Sequence, residues 1–320
     1  MKAIESIPLD AIREARERIR GVAIRTPLVR LNHGEGAAEI YLKLENLQPI
    51  GSFKLRGASN AIALADPEAL RDGVYTASAG NMAQGVAYAA RRRNLEASVV
   101  VPENAPRTKL AAIERLGGSV VPVPYDVWWN VIVAHRYEGM AGHFIHPVSD
   151  PEVIAGNGTI GLEILEDLPE VDAVIVPYGG GGLSSGIASA IKALRPQCSV
   201  FAAEVETAAP LAASLAAGEP VAIDHKSSFV DGIGGKSVLA EMWPLVRARL
   251  DGSLVVSLEQ ICSAVRMLIE RNRVIAEGAG ASSVAAALAG KAGGGKVVCV
   301  VSGGNIDIAK LRTILAGGIP

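Results

Sequence analysis

Lys54 stands between Phe53 and Leu55, just past a Pro49-Ile50-Gly51 turn that closes the apolar run around Leu42 and Leu44. A lysine ordinarily keeps its ammonium in water. One framed by apolar residues at a helix start either snorkels outward or is desolvated, and a desolvated amine sheds its proton and becomes a nucleophile toward carbonyls. Taken alone, Lys54 fits snorkelling better. Three glycine turns reverse that balance. Gly179-Gly180-Gly181-Gly182-Leu183 follows a β-branched run and opens a helical stretch, so its amides form an anion site that phosphate oxygens can approach closely. Ser78-Ala79-Gly80-Asn81-Met82 follows the strand-like Val74–Ala77, and Ser302-Gly303-Gly304-Asn305 follows another such run. Each turn falls at the carboxyl end of an expected parallel strand, where α/β proteins bind ligands. A lysine with a phosphate cradle is the minimum set for pyridoxal 5'-phosphate.

Other chemistries fit less well. The dinucleotide fingerprint G-x-G-x-x-G fails, because counting from Gly179 or Gly180 puts Ser184 or Ser185 at the third glycine, although Glu204 stands where an acid belongs. Gly235-Lys236-Ser237 imitates the end of a P-loop, but Val230 occupies the first glycine position. Gly182-Leu183-Ser184-Ser185-Gly186 matches the nucleophile elbow G-x-S-x-G, which makes a hydrolase using Ser184 the main competitor. Its only downstream histidine is His225, and the adjacent Asp224 is poorly placed as a separate acid. His143 and His146 lie in a strand-like segment and not on one helix face, so no metal pair is expected.

The bulk numbers narrow the class. The chain has 320 residues, 49% of them hydrophobic, which supports a large core and two domains. A net charge of -2 points to neither nucleic acid nor an anionic membrane, and Arg91-Arg92-Arg93 reads as a solvated helix end. No apolar run reaches the roughly 18 residues of a membrane span. Cys198, Cys262 and Cys299 are far apart, as expected of reduced, buried thiols in a cytoplasmic protein.

Periodicity predicts a first helix capped by Asp10 and closed by Gly21. Strands at Ala97–Val101, Ser119–Val123, Asp172–Val176, Ser199–Val205 and Lys296–Val301 then alternate with helices. The helices are placed from Pro106 to Gly117, at Val127–Glu138, at Leu183–Leu194 and at Leu258–Arg271. The expected fold is α/β, with two doubly wound domains of mainly parallel sheet. Residues 49–146 form a small mobile domain and 1–48 plus 147–320 a large one, with the ligand in the cleft between them.

With these motifs in hand, the chain resembles, nearly end to end, the serine/threonine dehydratases (threonine ammonia-lyases). These are fold type II pyridoxal-phosphate enzymes built like the tryptophan synthase β subunit. The shared motifs run from Lys43-Leu44-Glu45-Asn46 to Ser52-Phe53-Lys54-Leu55-Arg56-Gly57-Ala58, then Ser78–Gly85, Ile154–Thr159, Gly179–Leu183, Glu277–Gly280 and Ser302–Asn305. The resemblance implies that Lys54 holds the cofactor as a Schiff base and moves the Cα proton. Phe53 packs on the ring and Asn81 bonds its phenolic oxygen. Gly179, Gly180, Gly181, Gly182 and Leu183 grip the phosphate. Ser302 bonds the pyridine nitrogen, with Glu277 nearby, and Ser78, Ala79, Gly80 and Asn81 receive the substrate carboxylate. The implied reaction is α,β-elimination of a 3-hydroxy-L-amino acid, first L-threonine or L-serine, to a 2-oxo acid and ammonia. A homodimer is implied too. A non-catalytic carrier of the cofactor is the alternative of a different class.

Departures from the family pattern refine this. Ala79 replaces the second serine of the family's serine racemases, so negligible racemisation is expected. Pro210 stands where the family's metal site has an aspartate, beside Glu204 and Ala208, so weak or no Mg²⁺ activation is expected. Met82 replaces a common histidine. Trp128 and Trp129 stand where relatives are polar; they are either core or a substrate wall admitting 3-phenylserine. A 3-hydroxyaspartate substrate would want a cation, for which Arg136 is the candidate. The chain ends soon after Asn305, without the C-terminal regulatory domain of feedback-controlled relatives, which suggests a catabolic or specialised enzyme.

Overall fold

Short β-branched runs separated by helical stretches are what parallel pairing requires, because each parallel neighbour needs a crossover. In the computed structural model, which describes residues 3–34, 36 and 38–320, those runs build two sheets. The strands are β1 (Leu28–Arg30), β2 (Ala38–Lys43), β3 (Val74–Ala77), β4 (Ala97–Pro102), β5 (Gly118–Val123), β6 (His143–Phe144), β7 (Ala173–Pro177), β8 (Ser199–Val205), β9 (Gly252–Val256) and β10 (Gly295–Val300). The larger sheet has the order β1-β2-β10-β7-β8-β9 and the smaller β5-β4-β3-β6. Every pairing is parallel except β1 with β2. All strands of the smaller sheet lie between residues 74 and 144, inside an interruption of the larger one, so the chain crosses between the two bodies twice.

Alternation along β10 shows how both faces of the larger sheet are covered. Val297 and Cys299 join a core with the helix Gly278–Leu288, whereas Val298 and Val300 join a second core with the helices Leu9–Arg18, Pro151–Asp167 and Gly182–Leu194. In the smaller sheet Val74 faces Leu55, Met82 and Val86, while Tyr75 and Ala77 face Val123, Val131 and Trp128.

The helix Pro151–Asp167 organises the junction. Asp150 caps it by accepting from the amides of Glu152 (2.9 Å) and Val153 (3.2 Å), and Pro151 fills the first turn, where no amide partner is needed. Its glycines let two other helices approach backbone to backbone. A Cβ on Gly156 would lie 2.6 Å from Arg56 O, and one on Gly161 2.8 Å from Ile187 O. The helices so admitted, Lys54–Leu64 and Gly182–Leu194, begin at the lysine and at the glycine loop.

A neutral, fully buried quartet pins the first of these. Arg56 Nη2 meets Glu45 Oε1 at 2.7 Å, Arg56 Nη1 meets Glu163 Oε1 at 2.7 Å, and Lys43 Nζ meets Glu163 Oε2 at 2.6 Å. Thr26 and Thr159 complete the hydrogen bonding. Burial alone would raise the Glu45 carboxyl, but Arg56, Thr26 and Lys43 outweigh it and hold it below the usual carboxylate range.

Several predicted boundaries move. Asp10 sits inside the first turn, with Pro8 at the cap, and pairs with Arg13. The helix placed at Val127–Glu138 is Tyr125–Ala134, stopped by His135 in the left-handed region (φ 55°). The helix placed at Leu258–Arg271 is α-helical to Met267 and continues as a π-turn over Leu268–Asn272. The three cysteines are buried and free. Among the described residues no helix is long and apolar enough to cross a membrane.

Candidate active site

Lys54 is the first residue of its helix and partly buried. Its Nζ donates to Pro147 O at 2.6 Å and lies 5.3 Å from the centroid of the Phe53 ring. No carboxylate is paired with it among the described residues. Desolvation therefore acts without a countercharge and pulls its pKa down to about 8, which makes a free-amine nucleophile accessible near neutral pH.

The glycine loop occupies the gap between β7 and the helix Gly182–Leu194. Gly181 is left-handed (φ 98°), a conformation that only glycine adopts without strain. Among the described residues no amide from Gly179 to Leu183 donates to a protein acceptor. Such orphan donors at a helix start call for an anion. A methyl on Gly179 would meet nothing nearer than Gly232 O at 3.6 Å, so the loop stays open on that side. A phosphate fits there.

The turn after β10 closes the site. Phe53 N donates to Ser302 O (3.0 Å) and Gly304 N to Gly51 O (2.9 Å), which ties the lysine's turn to that of Ser302. Asn81 Nδ2 donates to Glu277 Oε1 (2.9 Å), and Asn305 Nδ2 donates to Asn81 Oδ1 (2.8 Å). Burial foremost, then Asp231, raises Glu277 to about 7, against the opposing bond from Asn81. Lys109, on the helix Arg107–Arg115 beside the smaller sheet, reaches Asp231 at 2.8 Å. Ser78 Oγ accepts from Gly80 N (3.2 Å), shaping the turn that opens the helix Asn81–Arg91.

Lysine, phosphate loop, Ser302 and the Ser78–Asn81 turn thus converge at the carboxyl ends of β7, β10 and β3, the arrangement that a phosphorylated aldehyde cofactor needs. Residues 19–303 match the family described as "Pyridoxal-phosphate dependent enzyme". The chain belongs to this family, and its cofactor is pyridoxal phosphate. It is 42% identical to an L-threonine ammonia-lyase of Thermotoga maritima, covering 98% of this chain and 79% of that one. It is 39% identical to the catabolic L-threonine dehydratase of Escherichia coli, covering 96% of each. Among solved structures, maize serine racemase superimposes with a TM-score of 0.88 at 34% identity over 98% of both chains.

Not every candidate residue of this pyridoxal-phosphate enzyme faces the cleft. Met82 is 2% exposed and its side chain belongs to the small-domain core, so only its backbone can serve a substrate. Trp128 packs on Tyr75, Ala77 and Val123, because its helix lays that face on the sheet. Trp129, 43% exposed, is the tryptophan free to meet a ligand. Among the described residues Arg136 pairs only with Glu138 at the surface, whereas Lys109 pairs with Asp231. Ser184 is fully buried and donates to Gly181 O (3.2 Å), which rules it out as an elbow nucleophile.

Glu204 is engaged within the fold. Its oxygens accept from the amides of Leu211 (2.9 Å) and Ala212 (2.8 Å) and from Ser253 Oγ (2.6 Å), capping the helix Pro210–Ala217. Chelator treatment is expected to change turnover by less than about twofold, with no gain from added Mg²⁺, since a cation would have to displace three bonds. A large loss restored by Mg²⁺ would contradict this.

Proposed function

We propose that this enzyme is an ammonia-lyase that eliminates water and ammonia from a 3-hydroxy-L-amino acid, L-threonine or L-serine first, leaving a 2-oxo acid. What supports it is a desolvated Lys54 whose turn is tied to that of Ser302, a hydroxyl residue, by the bond from Phe53 N to Ser302 O. The threonine ammonia-lyase and dehydratase relatives support the same reading.

When bound, pyridoxal phosphate supplies a sink for the electron pair left at Cα. The protein does the rest. Orphan amides of Gly179–Leu183 hold the phosphate, and Phe53 and Asn81 place the ring. Lys54 would hold the cofactor and, with its amine free, would remove the Cα proton as general base. Ser302 would face the pyridine nitrogen, and a hydroxyl there would not keep it protonated as a carboxylate would. The sink is thereby weakened, favouring prompt loss of the β-hydroxyl. Ser78 and the amides of the 78–81 turn receive the substrate carboxylate. Ala79 offers no hydroxyl to return a proton to the opposite face, so racemisation is negligible. We further infer a cytoplasmic homodimer.

The β-substituent meets the small domain. The helix Tyr125–Ala134 starts after β5, at one edge of the smaller sheet, and ends with His135 stacked 4.0 Å from His146, just past β6 at the other edge. It therefore crosses the carboxyl ends of the strands and carries Tyr125, Trp129 and Val133, 52%, 43% and 49% exposed, along that rim. This favours a specialised preference for an apolar substituent, as in 3-phenylserine, over 3-hydroxyaspartate, whose extra carboxylate would find Lys109 already paired.

Release of 2-oxo acid and ammonia from threonine, serine, 3-phenylserine and 3-hydroxyaspartate tests both levels. Turnover of none, with cofactor bound, would make the protein a carrier. Trp129→Ala is expected to cut kcat/KM for phenylserine roughly tenfold while leaving threonine within about threefold. Inert phenylserine would remove the aromatic-pocket preference and leave the lyase.

A further inference from the structure

The segment His146–Ser149, which carries the chain back from the smaller sheet to the larger body, touches both halves of the cofactor grip. Pro147 O accepts from Lys54 Nζ at 2.6 Å. Val148 lies on the glycine loop: a methyl on Gly180 would fall 2.5 Å from Val148 Cγ1, and one on Gly182 2.8 Å from Val148 O. Ser149 Oγ donates to Glu241 Oε1 at 3.0 Å and ties the end of the turn to the larger body.

What folds these four residues is the imidazole at their head. His146 Nδ1 accepts from Val148 N (3.1 Å) and Ser149 N (2.7 Å), with Ser149 Oγ a further 3.1 Å neighbour. The ring is 2% exposed and stacks on His135 with 17° between planes. Two amides pointing at Nδ1 assign the ring proton to Nε2. Without this acceptor the two amides would be left inside the fold with no partner, and the turn would lose the bonds that define it.

We propose that His146 is a positioning residue for the cofactor, its Nδ1 folding the 146–149 turn that holds the Lys54 amine and the glycine loop in register. It is a strut and not a switch. Burial first, then His135 and Lys54, keep its ring down at about 3, so it stays neutral wherever the enzyme works. The inference rests on the cofactor site and not on which amino acid is turned over, so a wrong substrate assignment leaves it standing.

The test titrates pyridoxal phosphate into the apoproteins of wild type, His146→Leu and His146→Asn, following binding and the pH dependence of its association rate. His146→Leu fills the space without an acceptor, and roughly tenfold or weaker binding is expected from the loss of two amide bonds. His146→Asn puts a carbonyl near the place of Nδ1 and should bind within about threefold of wild type. The pH midpoint set by the Lys54 amine should fall in His146→Leu, because Pro147 O no longer favours the ammonium, and return in His146→Asn. A merely structural ring would lower the unfolding temperature of both variants and leave that midpoint in place. Wild-type binding by His146→Leu, or a loss that asparagine does not restore, overturns the proposal. Should His146→Leu fail to fold, Val148→Ala carries the test: weaker binding with an unmoved midpoint supports the turn's role, and unchanged binding overturns it.

Discussion

Lys54→Ala is expected to lower elimination by about a thousandfold or more, since the proposed mechanism makes one side chain both covalent anchor and general base. Borohydride reduction should fix pyridoxal phosphate onto the Lys54 peptide of the wild type, read by mass spectrometry, and onto no peptide of the variant. Residual cofactor binding should persist, because the glycine-loop amides do not depend on the lysine. In the wild-type apoprotein, covalent capture should rise with pH through about 8, as the amine loses its proton. The sign follows from the cause: burial disfavours the ammonium, so the reactive form appears below the ordinary lysine range. Undiminished turnover by Lys54→Ala would overturn the assignment of the whole site.

Arg56→Leu is expected to destabilise the fold by about 3–5 kcal/mol, the usual result of leaving a buried charge without its partner. Glu45 and Glu163 would face each other with Lys43 alone between two carboxylates. The loss should appear as a drop in unfolding temperature on the order of 10 °C. Its pH dependence distinguishes it from lost packing. In the wild type Glu45 is held below its ordinary value, so its contribution is present above about pH 4.5 and fades as pH falls through the lower folded value. In the variant the stranded carboxylates are pushed upward instead, and protonating them relieves the defect. Arg56→Leu should therefore be closer to wild type at pH 5 than at pH 8. An equal deficit at both would mean that the quartet contributes little beyond filling space.

Strands were readable in advance because their chemistry is local. Val74–Ala77 and Ser199–Val205 are runs of apolar and β-branched residues bounded by breakers, and both were placed without error. The glycine loop announced itself by composition. The helix Pro151–Asp167 did not, because Gly156, Gly158 and Gly161 are poor helix formers and their value lies in what they touch. Glu163 joins Arg56 across 107 residues, a pairing that no local spacing signals. His146 was weighed only as half of a metal pair, since an imidazole accepting backbone amides leaves no pattern in sequence. The inward packing of Met82 and Trp128 was not legible, because which face of a helix is buried depends on the sheet beneath it.

The glycine seam along the helix Pro151–Asp167 bears on how such an enzyme changes its diet. Cofactor lysine and phosphate loop are spaced by main chain against main chain, where almost any added carbon collides. That half is closed to mutational drift. The rim bearing Tyr125, Trp129 and Val133 belongs to another sheet and presents side chains with room around them. Selection can rewrite the rim one residue at a time while the reaction centre is copied unaltered. New amino-acid appetites should therefore arise along this helix before anywhere else in the molecule.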